Sequence, residues 1–241
     1  MKITEYITLT IDRLPKGYIF TYKDFIGEVN NKEAIIKALN RMANSGKIAK
    51  VSKGKYYKPE STVFGKLEPN QYQIVKDLLE KNGKIVGYLT GYSIYNQLGL
   101  STQVSNIIQI GKNEIRSSFK RKRFTISFIK QKNIITKENI LLLQILDSIR
   151  LIKKIPDTTI ESACKRFVAI IKDLSKKDKT TMIRLAQKYP PSTRALLGAL
   201  LDLSGGAILA APLLNSLNPI TNYKIPGASK VLQTAAKWNI I

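Results

Sequence analysis

The sequence contains no histidine and only one cysteine, Cys164. Without histidine the chain cannot form a Ser-His-Asp or Cys-His catalytic site, and it lacks the commonest general base. A single cysteine excludes an internal disulfide framework and a cysteine-based zinc site, and it is typical of the reducing cytoplasm. No GxxxxGK[ST] phosphate-binding loop occurs either. The sequence therefore indicates no metal site and no cofactor, and we expect a protein that is not an enzyme.

One group of acids has the ingredients of a metal-dependent nuclease site, but not its spacing. Asp157, Glu161 and Lys165 supply two carboxylates and a lysine. Such a site needs the second acid and the lysine one residue apart on a strand, whereas this segment predicts the start of a helix. Asp157, followed by Thr158 and Thr159, is more simply explained as a helix cap.

Acidic residues are scarce throughout the chain. The 241 residues include 17 Asp and Glu against 40 Lys and Arg, which gives a formal net charge of +23. A field of this sign attracts polyanions, so nucleic acid and an anionic membrane surface are the candidate partners. A length of 241 residues allows one large domain or two to three small ones. A hydrophobic content of 44% is enough for each to form a hydrophobic core.

The longest apolar run does not predict a membrane helix. Residues 195–214 approach the length of about 20 apolar residues that a membrane helix needs. The run contains Asp202, and Ser204-Gly205-Gly206 and Pro212 interrupt it. An isolated carboxylate at mid-bilayer costs on the order of 3 kcal/mol. We therefore expect a buried helical hairpin and no membrane contact. The polar N-terminus is not a signal peptide, and we predict a cytoplasmic protein.

Residues 1–60 are predicted to form a winged helix-turn-helix, a DNA-binding fold. The helical period of the first segment ends at Pro15-Lys16-Gly17, and Lys53-Gly54 predicts a tight hairpin turn. The predicted elements are a helix over 3–14, a strand over 18–20, a helix over 21–29, a turn at Asn30-Asn31, a recognition helix, and a hairpin over 47–58.

The recognition helix has an apolar face and a basic face. Ala34, Ile35, Ala38, Leu39 and Met42 recur at helical spacing and predict a buried stripe. In a winged helix the basic face of this helix enters the major groove of DNA, and the hairpin contacts the phosphate backbone. The candidate DNA-contacting residues are Asn31, Lys32, Lys37, Asn40 and Arg41 of the helix, and Lys50, Lys53 and Lys55 of the hairpin. A basic helix face is also common as a merely solvated face, and winged helices also serve as protein-interaction modules.

A second basic cluster is predicted to lie on a loop between two strands. Its residues are Arg116, Lys120, Arg121, Lys122 and Arg123, with Lys130 and Lys132 downstream. Such a loop is a possible second polyanion contact, because cations there could hold the phosphates of nucleic acid. The alternatives are a solvated loop or a patch that meets an acidic protein.

The rest of the chain completes an α+β fold. Residues 68–132 predict a small mixed α/β middle region, with a helix from about residue 70 and strands over 107–110 and 124–129. Residues 136–241 predict a helical C-terminal region whose segments are separated by Pro and Gly, with the last helix over 230–238. The predicted domains are therefore 1–60, 68–132 and 136–241, and a linker over 60–69 is predicted between the first two.

The segment YLTGYSIYNQLGLSTQV, residues 88–104, resembles the AbiEi-like antitoxins of type IV abortive-infection toxin-antitoxin systems. The matching positions are Gly91-Tyr92-Ser93, Asn96, Gly99-Leu100 and Thr102-Gln103. The predicted winged helix also looks like theirs at Ala38-Leu39, Arg41-Met42, Gly46-Lys47-Ile48 and Lys53-Gly54-Lys55-Tyr56. Lys53 stands where an arginine is usual in that family. A lysine can still contact phosphate, but it cannot make the bidentate base contact of an arginine. The resemblance covers about the first 130 residues.

The resemblance implies a bacterial antitoxin for phage defence. Such a protein represses its own operon by binding promoter DNA, its operator, through the winged helix. It also counteracts a nucleotidyltransferase-like toxin encoded beside it, often indirectly and without a stable complex. The alternative hypothesis is a protein-interaction module that neutralises an acidic toxin by direct binding, without specific DNA recognition.

Overall fold

Two separate hydrophobic cores organise the chain in a computed structural model that describes residues 3–63, 65–114 and 116–241. The first unit comprises Met1–Leu78 and Lys120–Phe124, and the second comprises Leu79–Phe119 and Thr125–Ile241. The protein is α+β with a helical C-terminal region. Residues 68–132, predicted as one middle region, contribute to both units.

The first unit combines helices with a three-stranded antiparallel sheet in the order β1-β3-β2. Ile19 and Ala49 both pair with Tyr57, so β3 is the central strand. The elements are α1 (Ile3–Arg13), β1 (Ile19–Phe20), a 3-10 turn (Tyr22–Phe25), α2 (Lys32–Asn44), β2 (Ala49–Ser52), β3 (Lys55–Tyr57), β4 (Glu60–Thr62), β5 (Gly65–Leu67) and α3 (Gln71–Leu79), whose last residue is counted with the second unit.

The amphipathic pattern of α2 is realised in the structure. Ile35, Ala38, Leu39 and Met42 are buried in the core of the first unit. The helix ends at Asn44, and Gly46 follows with a φ of +77°, a left-handed conformation that glycine adopts without steric cost. Burial of this stripe against α1 fixes which face of α2 remains exposed.

Two local predictions in this unit were wrong. The helix expected over 21–29 is only the 3-10 turn, in which Thr21 Oγ1 accepts the Lys23 amide and Asp24 Oδ2 accepts the Thr21 amide at 2.7 Å. Gly27 follows and favours the end of a helix. The segment expected to be a linker over 60–69 contains an antiparallel hairpin, because β4 pairs with β5.

The second unit contains a mixed sheet and most of the helices. Its sheet has the order β10-β11-β9-β8, in which β8 runs antiparallel to β9 and β9 runs parallel to β11. The elements are β6 (Glu80–Lys81), β7 (Lys84–Ile85), β8 (Gly87–Thr90), β9 (Ile107–Lys112), β10 (Phe119–Arg121), β11 (Phe124–Lys130), α4 (Ile140–Arg150), α5 (Ile160–Lys172), α6 (Lys176–Ala186), α7 (Pro191–Leu203) and α8 (Ala211–Leu214). The last two residues of β10 and the first residue of β11 are counted with the first unit.

The apolar run over 195–214 is interrupted where the sequence predicts. α7 ends at Leu203, and a 3-10 turn leads into the short α8. Asp202 has partners, since Trp238 Nε1 donates to its Oδ2 at 2.8 Å and Lys237 pairs with it at 3.0 Å. None of the helices within the described ranges has the length and apolar character that crossing a membrane requires.

Two further helix predictions in the C-terminal region need correction. The helix expected over 230–238 is replaced by 3-10 turns at Ala228–Lys230 and Ala236–Trp238. Helix α5 is capped by Thr159, whose Oγ1 accepts the Ser162 amide at 3.1 Å, and not by Asp157. Asp157 instead has a φ of +52° just before the helix.

Candidate nucleic-acid interface

A hydrogen bond joins α2 to the β2-β3 hairpin. The hydroxyl of Tyr56 donates to Asn40 Oδ1 at 2.9 Å, and the Tyr56 ring is buried and stacked on Phe20. Burial raises the pKa of Tyr56, so the hydroxyl keeps the proton that it donates. The exposed face of α2 is therefore held in a defined position against the hairpin.

A groove of about 530 Å³ lies between α2, the 3-10 turn and the hairpin. Four of the eight predicted DNA-contacting residues line it, namely Lys32, Asn40, Lys50 and Lys53. The full lining is Tyr22, Lys32, Ile36, Asn40, Lys50, Ser52, Lys53, Gly54 and Tyr56. Among the residues that the structure describes, no carboxylate belongs to this lining. The groove therefore combines apolar walls with three lysines and one amide.

Two of the groove lysines lie over aromatic rings. Lys32 Nζ is 5.1 Å from the centre of the Tyr22 ring, and Lys50 Nζ is 5.9 Å from that of Tyr56. Cation–π attraction of this kind orients an ammonium group without neutralising its charge. Both lysines therefore remain available to an anion.

Lys37 and Arg41 extend the basic surface along α2. Both are exposed, and they are four residues apart, so they project from the same side of the helix. Within the described part of the chain neither forms an ion pair, and the same is true of Lys53 at the hairpin turn. Like charges at this spacing destabilise an isolated helix slightly, and a bound polyanion would relieve that repulsion.

The remaining two candidate residues are placed differently. Asn31 is the N-cap of α2, and its Oδ1 accepts the Ala34 amide at 3.0 Å. Lys55 Nζ lies 2.5 Å from Asp77 Oδ2, so its charge is paired inside the first unit. The structure does not bring either residue into the groove lining.

The cluster over 120–123 is largely engaged by acids of the first unit. Arg121 makes a bidentate pair with Asp77 at 2.8 and 3.2 Å. Glu68 lies 3.0 Å from Arg123 and 3.8 Å from Lys122. Lys120 is exposed. These pairs anchor residues 120–124 within the first unit, and they leave less free charge on this segment than the sequence predicts.

Arg116 lies in the second unit and packs on aromatic rings. Its guanidinium is 4.6 Å from the centre of the Phe119 ring and 5.8 Å from that of Phe128. It is exposed, so its charge still faces solvent. The structure therefore places it among aromatic partners of its own unit.

The positions that carry the resemblance shape a turn in the second unit. Ser93 Oγ accepts the Gln109 amide at 3.0 Å, and Asn96 Nδ2 donates to the carbonyl of Ser101 at 3.3 Å. Gly91 has a φ of +54°, and a Cβ added there would meet Gln109 Oε1 at 1.8 Å. These contacts give the segment an architectural role, with Gly91 required by both conformation and space.

Five groove residues are not among the predicted DNA-contacting residues: Tyr22, Ile36, Ser52, Gly54 and Tyr56. The sequence places Gly54 and Tyr56 in the predicted hairpin but not among its contact residues. Ile36 offered a signal, because it is an apolar residue outside the buried stripe of α2. Tyr22 and Ser52 offered none, since only the packing of the 3-10 turn and the hairpin beside α2 brings them to the same place.

Comparison with known proteins identifies a family and a similar fold. The profile described as "Family of unknown function (DUF6088)" matches residues 6–183. No curated protein sequence matches the chain. The solved structure of the RV2827C protein from Mycobacterium tuberculosis is similar with a TM-score of 0.58 and 13% identity, over 90% of this chain and 82% of that chain. At this identity the likeness concerns the fold alone.

Proposed function

We propose that this chain, which belongs to the DUF6088 family of unknown function, is a DNA-binding antitoxin that represses its own operon. One observation carries the DNA-binding part. The groove between α2 and the hairpin is lined by Lys32, Lys50 and Lys53 without a carboxylate, and Lys37 and Arg41 extend it along the helix. A surface of unpaired cations that follows a helix and a hairpin matches the phosphate backbone of duplex DNA.

In this proposal the first unit is a winged helix. The order of α1, β1, the 3-10 turn, α2 and the β2-β3 hairpin supports it, as does the pairing of β1 with β3. Helix α2 would enter the major groove, and Lys50 and Lys53 would contact the flanking backbone. Asn31 and Lys55 then serve the domain's structure, because the former caps α2 and the latter pairs with Asp77.

Asn40 is the strongest candidate for a base contact. Its Oδ1 accepts the Tyr56 hydroxyl, which leaves both protons of its amide nitrogen for an acceptor outside the protein. An oriented amide can donate to base acceptors in the major groove, whereas the lysines give affinity without sequence information. The Tyr56 bond therefore prepares Asn40 for readout.

The antitoxin part of the proposal rests on the resemblance of residues 88–104 to AbiEi-like antitoxins. The partner would be a nucleotidyltransferase-like toxin encoded beside the gene, antagonised without a stable complex. A cytoplasmic location and the absence of enzymatic activity belong to the same proposal, because a repressor must reach the chromosome and needs no catalysis.

A salt-titrated gel shift tests the DNA-binding part. The full chain is titrated onto the DNA immediately upstream of its own gene and, in parallel, onto scrambled DNA of equal length. Specific readout predicts tighter binding to the upstream DNA by about 10³ or more. Equal binding to both DNAs at every salt concentration would refute the proposed operator recognition and favour direct capture of an acidic toxin. Co-purification with the toxin at high salt would then identify that alternative.

A further inference from the structure

The second unit contains another basic cavity, at the connection from α6 to α7. Its volume is about 340 Å³, and its cationic lining is Lys130, Lys132, Arg150 and Lys188. Gln131, Tyr189, Pro190 and Pro191 complete the wall, and in the described part of the chain no carboxylate belongs to it. The cations come from three separate parts of the chain, namely the end of β11, the end of α4 and the end of α6.

Buried, hydrogen-bonded side chains lie in and behind the cavity wall. Gln131 and Tyr189 are buried, and Gln131 Nε2 donates to the Tyr189 hydroxyl at 2.8 Å. Tyr189 in turn donates to Asp147 Oδ1 at 2.8 Å. Asp147 also accepts the hydroxyls of Tyr88 and Thr90. The buried groups thus satisfy one another, and among the described residues none of the four cations forms an ion pair with a carboxylate.

A smaller cavity of about 210 Å³ shares Arg150 with the first. Lys153, Lys154 and Lys224 supply its other cations, and no acidic residue within the described ranges lines it. Arg150 therefore stands between two concave basic surfaces of the same unit. Holding this many like charges close together costs electrostatic free energy unless an anion occupies the space between them.

We infer that these adjoining cavities form a binding site for the phosphate of a nucleotide. Lysine and arginine form charge-assisted hydrogen bonds with phosphate oxygens, which are about twice as strong as neutral ones. The larger cavity falls in the size range of small-ligand sites. The phosphate can belong to a free mononucleotide or to the 5′ end of an oligonucleotide, and the two sources share the same recognition chemistry.

Binding of 5′-AMP and of adenosine to the full chain, measured by calorimetry, tests the free-nucleotide source. We expect 5′-AMP to bind at least about tenfold more tightly than adenosine, because only the former carries the charged group. The double variant Lys132→Glu/Lys188→Glu is expected to lose about tenfold or more in 5′-AMP affinity. Lys172→Glu/Lys177→Glu changes the net charge equally on exposed lysines outside both cavities, and it should bind as the unsubstituted chain does.

The oligonucleotide source is tested with short single strands that differ only in a 5′-phosphate or a 5′-hydroxyl. These titrations use the Lys50→Glu/Lys53→Glu background, so that the proposed DNA groove does not contribute. Preference for the phosphorylated strand, lost on adding Lys132→Glu/Lys188→Glu, supports the site even when 5′-AMP does not bind. If the glutamate variant fails to fold, Lys132→Gln/Lys188→Gln takes its place.

The inference is overturned if neither 5′-AMP nor the oligonucleotides show a phosphate preference, or if the cavity variants bind as tightly as the unsubstituted chain. These results are independent of the operator experiment. Promoter binding that is retained in Lys50→Glu/Lys53→Glu, with the phosphate preference intact, contradicts only the proposed DNA groove of the first unit. Loss of phosphate preference with promoter binding intact contradicts only the cavity site.

Discussion

Lys55 and Arg121 share one carboxylate, that of Asp77. Lys55 Nζ lies 2.5 Å from Oδ2, and Arg121 Nη1 lies 2.8 Å from Oδ1. Arg121 also donates to the carbonyl of Ile74 on α3. A hairpin lysine and an arginine from a distant segment thus stabilise the first unit from within, although the sequence predicts that both meet a polyanion.

Replacing Asp77 by asparagine should change how stability depends on pH. Burial alone would raise the pKa of Asp77, but the hydrogen bonds and charges of Arg121 and Lys55 outweigh burial and hold the pKa below its ordinary value. Such a carboxyl stabilises the fold above its unfolded pKa of about 3.9, and the contribution is lost as pH falls below that value. Asp77→Asn should therefore be less stable at neutral pH, by a margin that shrinks in acid.

Urea unfolding followed by circular dichroism at several pH values measures this margin. Glu60→Gln is the matched control, because Glu60 forms an exposed pair with Lys16, and exposed pairs contribute little to stability. A margin for Asp77→Asn that stays constant down to low pH would show that its ion pairs do not stabilise the fold.

Lys53→Ala and Lys55→Ala should separate DNA binding from structure. Lys53 lines the groove and lacks an ion pair in the described structure, so its loss should reduce the slope of log affinity against log salt by about one unit. Lys55 is paired with Asp77, so its loss should lower stability and leave the slope unchanged. Gel shifts over a salt series distinguish the two, and equal slope changes would contradict the assignment.

Tyr56→Phe should reduce sequence discrimination as well as stability. It removes the donor that orients Asn40, at a cost of about 1 kcal/mol in the free energy of unfolding. The affinity ratio between upstream and scrambled DNA should fall, because Asn40 is then free to rotate. Tyr57→Phe makes the same chemical change at a neighbouring buried ring that has no such bond to Asn40. The two variants behaving alike in gel shifts would exclude the proposed role.

Asp147→Ala should strongly destabilise the second unit. The change leaves the hydroxyls of Tyr88, Thr90 and Tyr189 without their buried acceptor. A buried donor without a partner costs about 1–3 kcal/mol, so a loss of about 3 kcal/mol or more is expected. Denaturant unfolding gives the value, and a loss below that of a typical surface substitution would contradict the geometry.

Gly198→Ala should overpack the core of the second unit. A Cβ on Gly198 would lie 2.1 Å from the ring of Trp238, which is fully buried. Overpacking of this kind costs about 1–3 kcal/mol. Gly27→Ala is the control, since an added Cβ there meets no atom within 4 Å. Thermal unfolding of both variants makes the comparison, and an unchanged midpoint for Gly198→Ala would rule out this contact.

The sequence by itself determined the features that depend on near neighbours. The apolar spacing of α2, the hairpin turn at Lys53-Gly54 and the break after Leu203 all follow from helical periodicity and from turn residues. The basic excess and the lack of histidine likewise follow from composition. Each of these signals depends on residues close together in the chain or on the number of residues of one type. It can therefore be recognised without knowledge of the fold.

Only the tertiary structure decided which charges are paired and which are free. Asp77 pairs with Lys55 and Arg121, whereas Lys53 has no ion pair among the described residues, although the three cations look alike in the sequence. The tertiary structure also decided that Arg150 and Lys188 line one cavity, because α4 and α6 pack together. Pairing depends on distances of a few ångströms between residues far apart in the chain, and packing of the cores sets those distances.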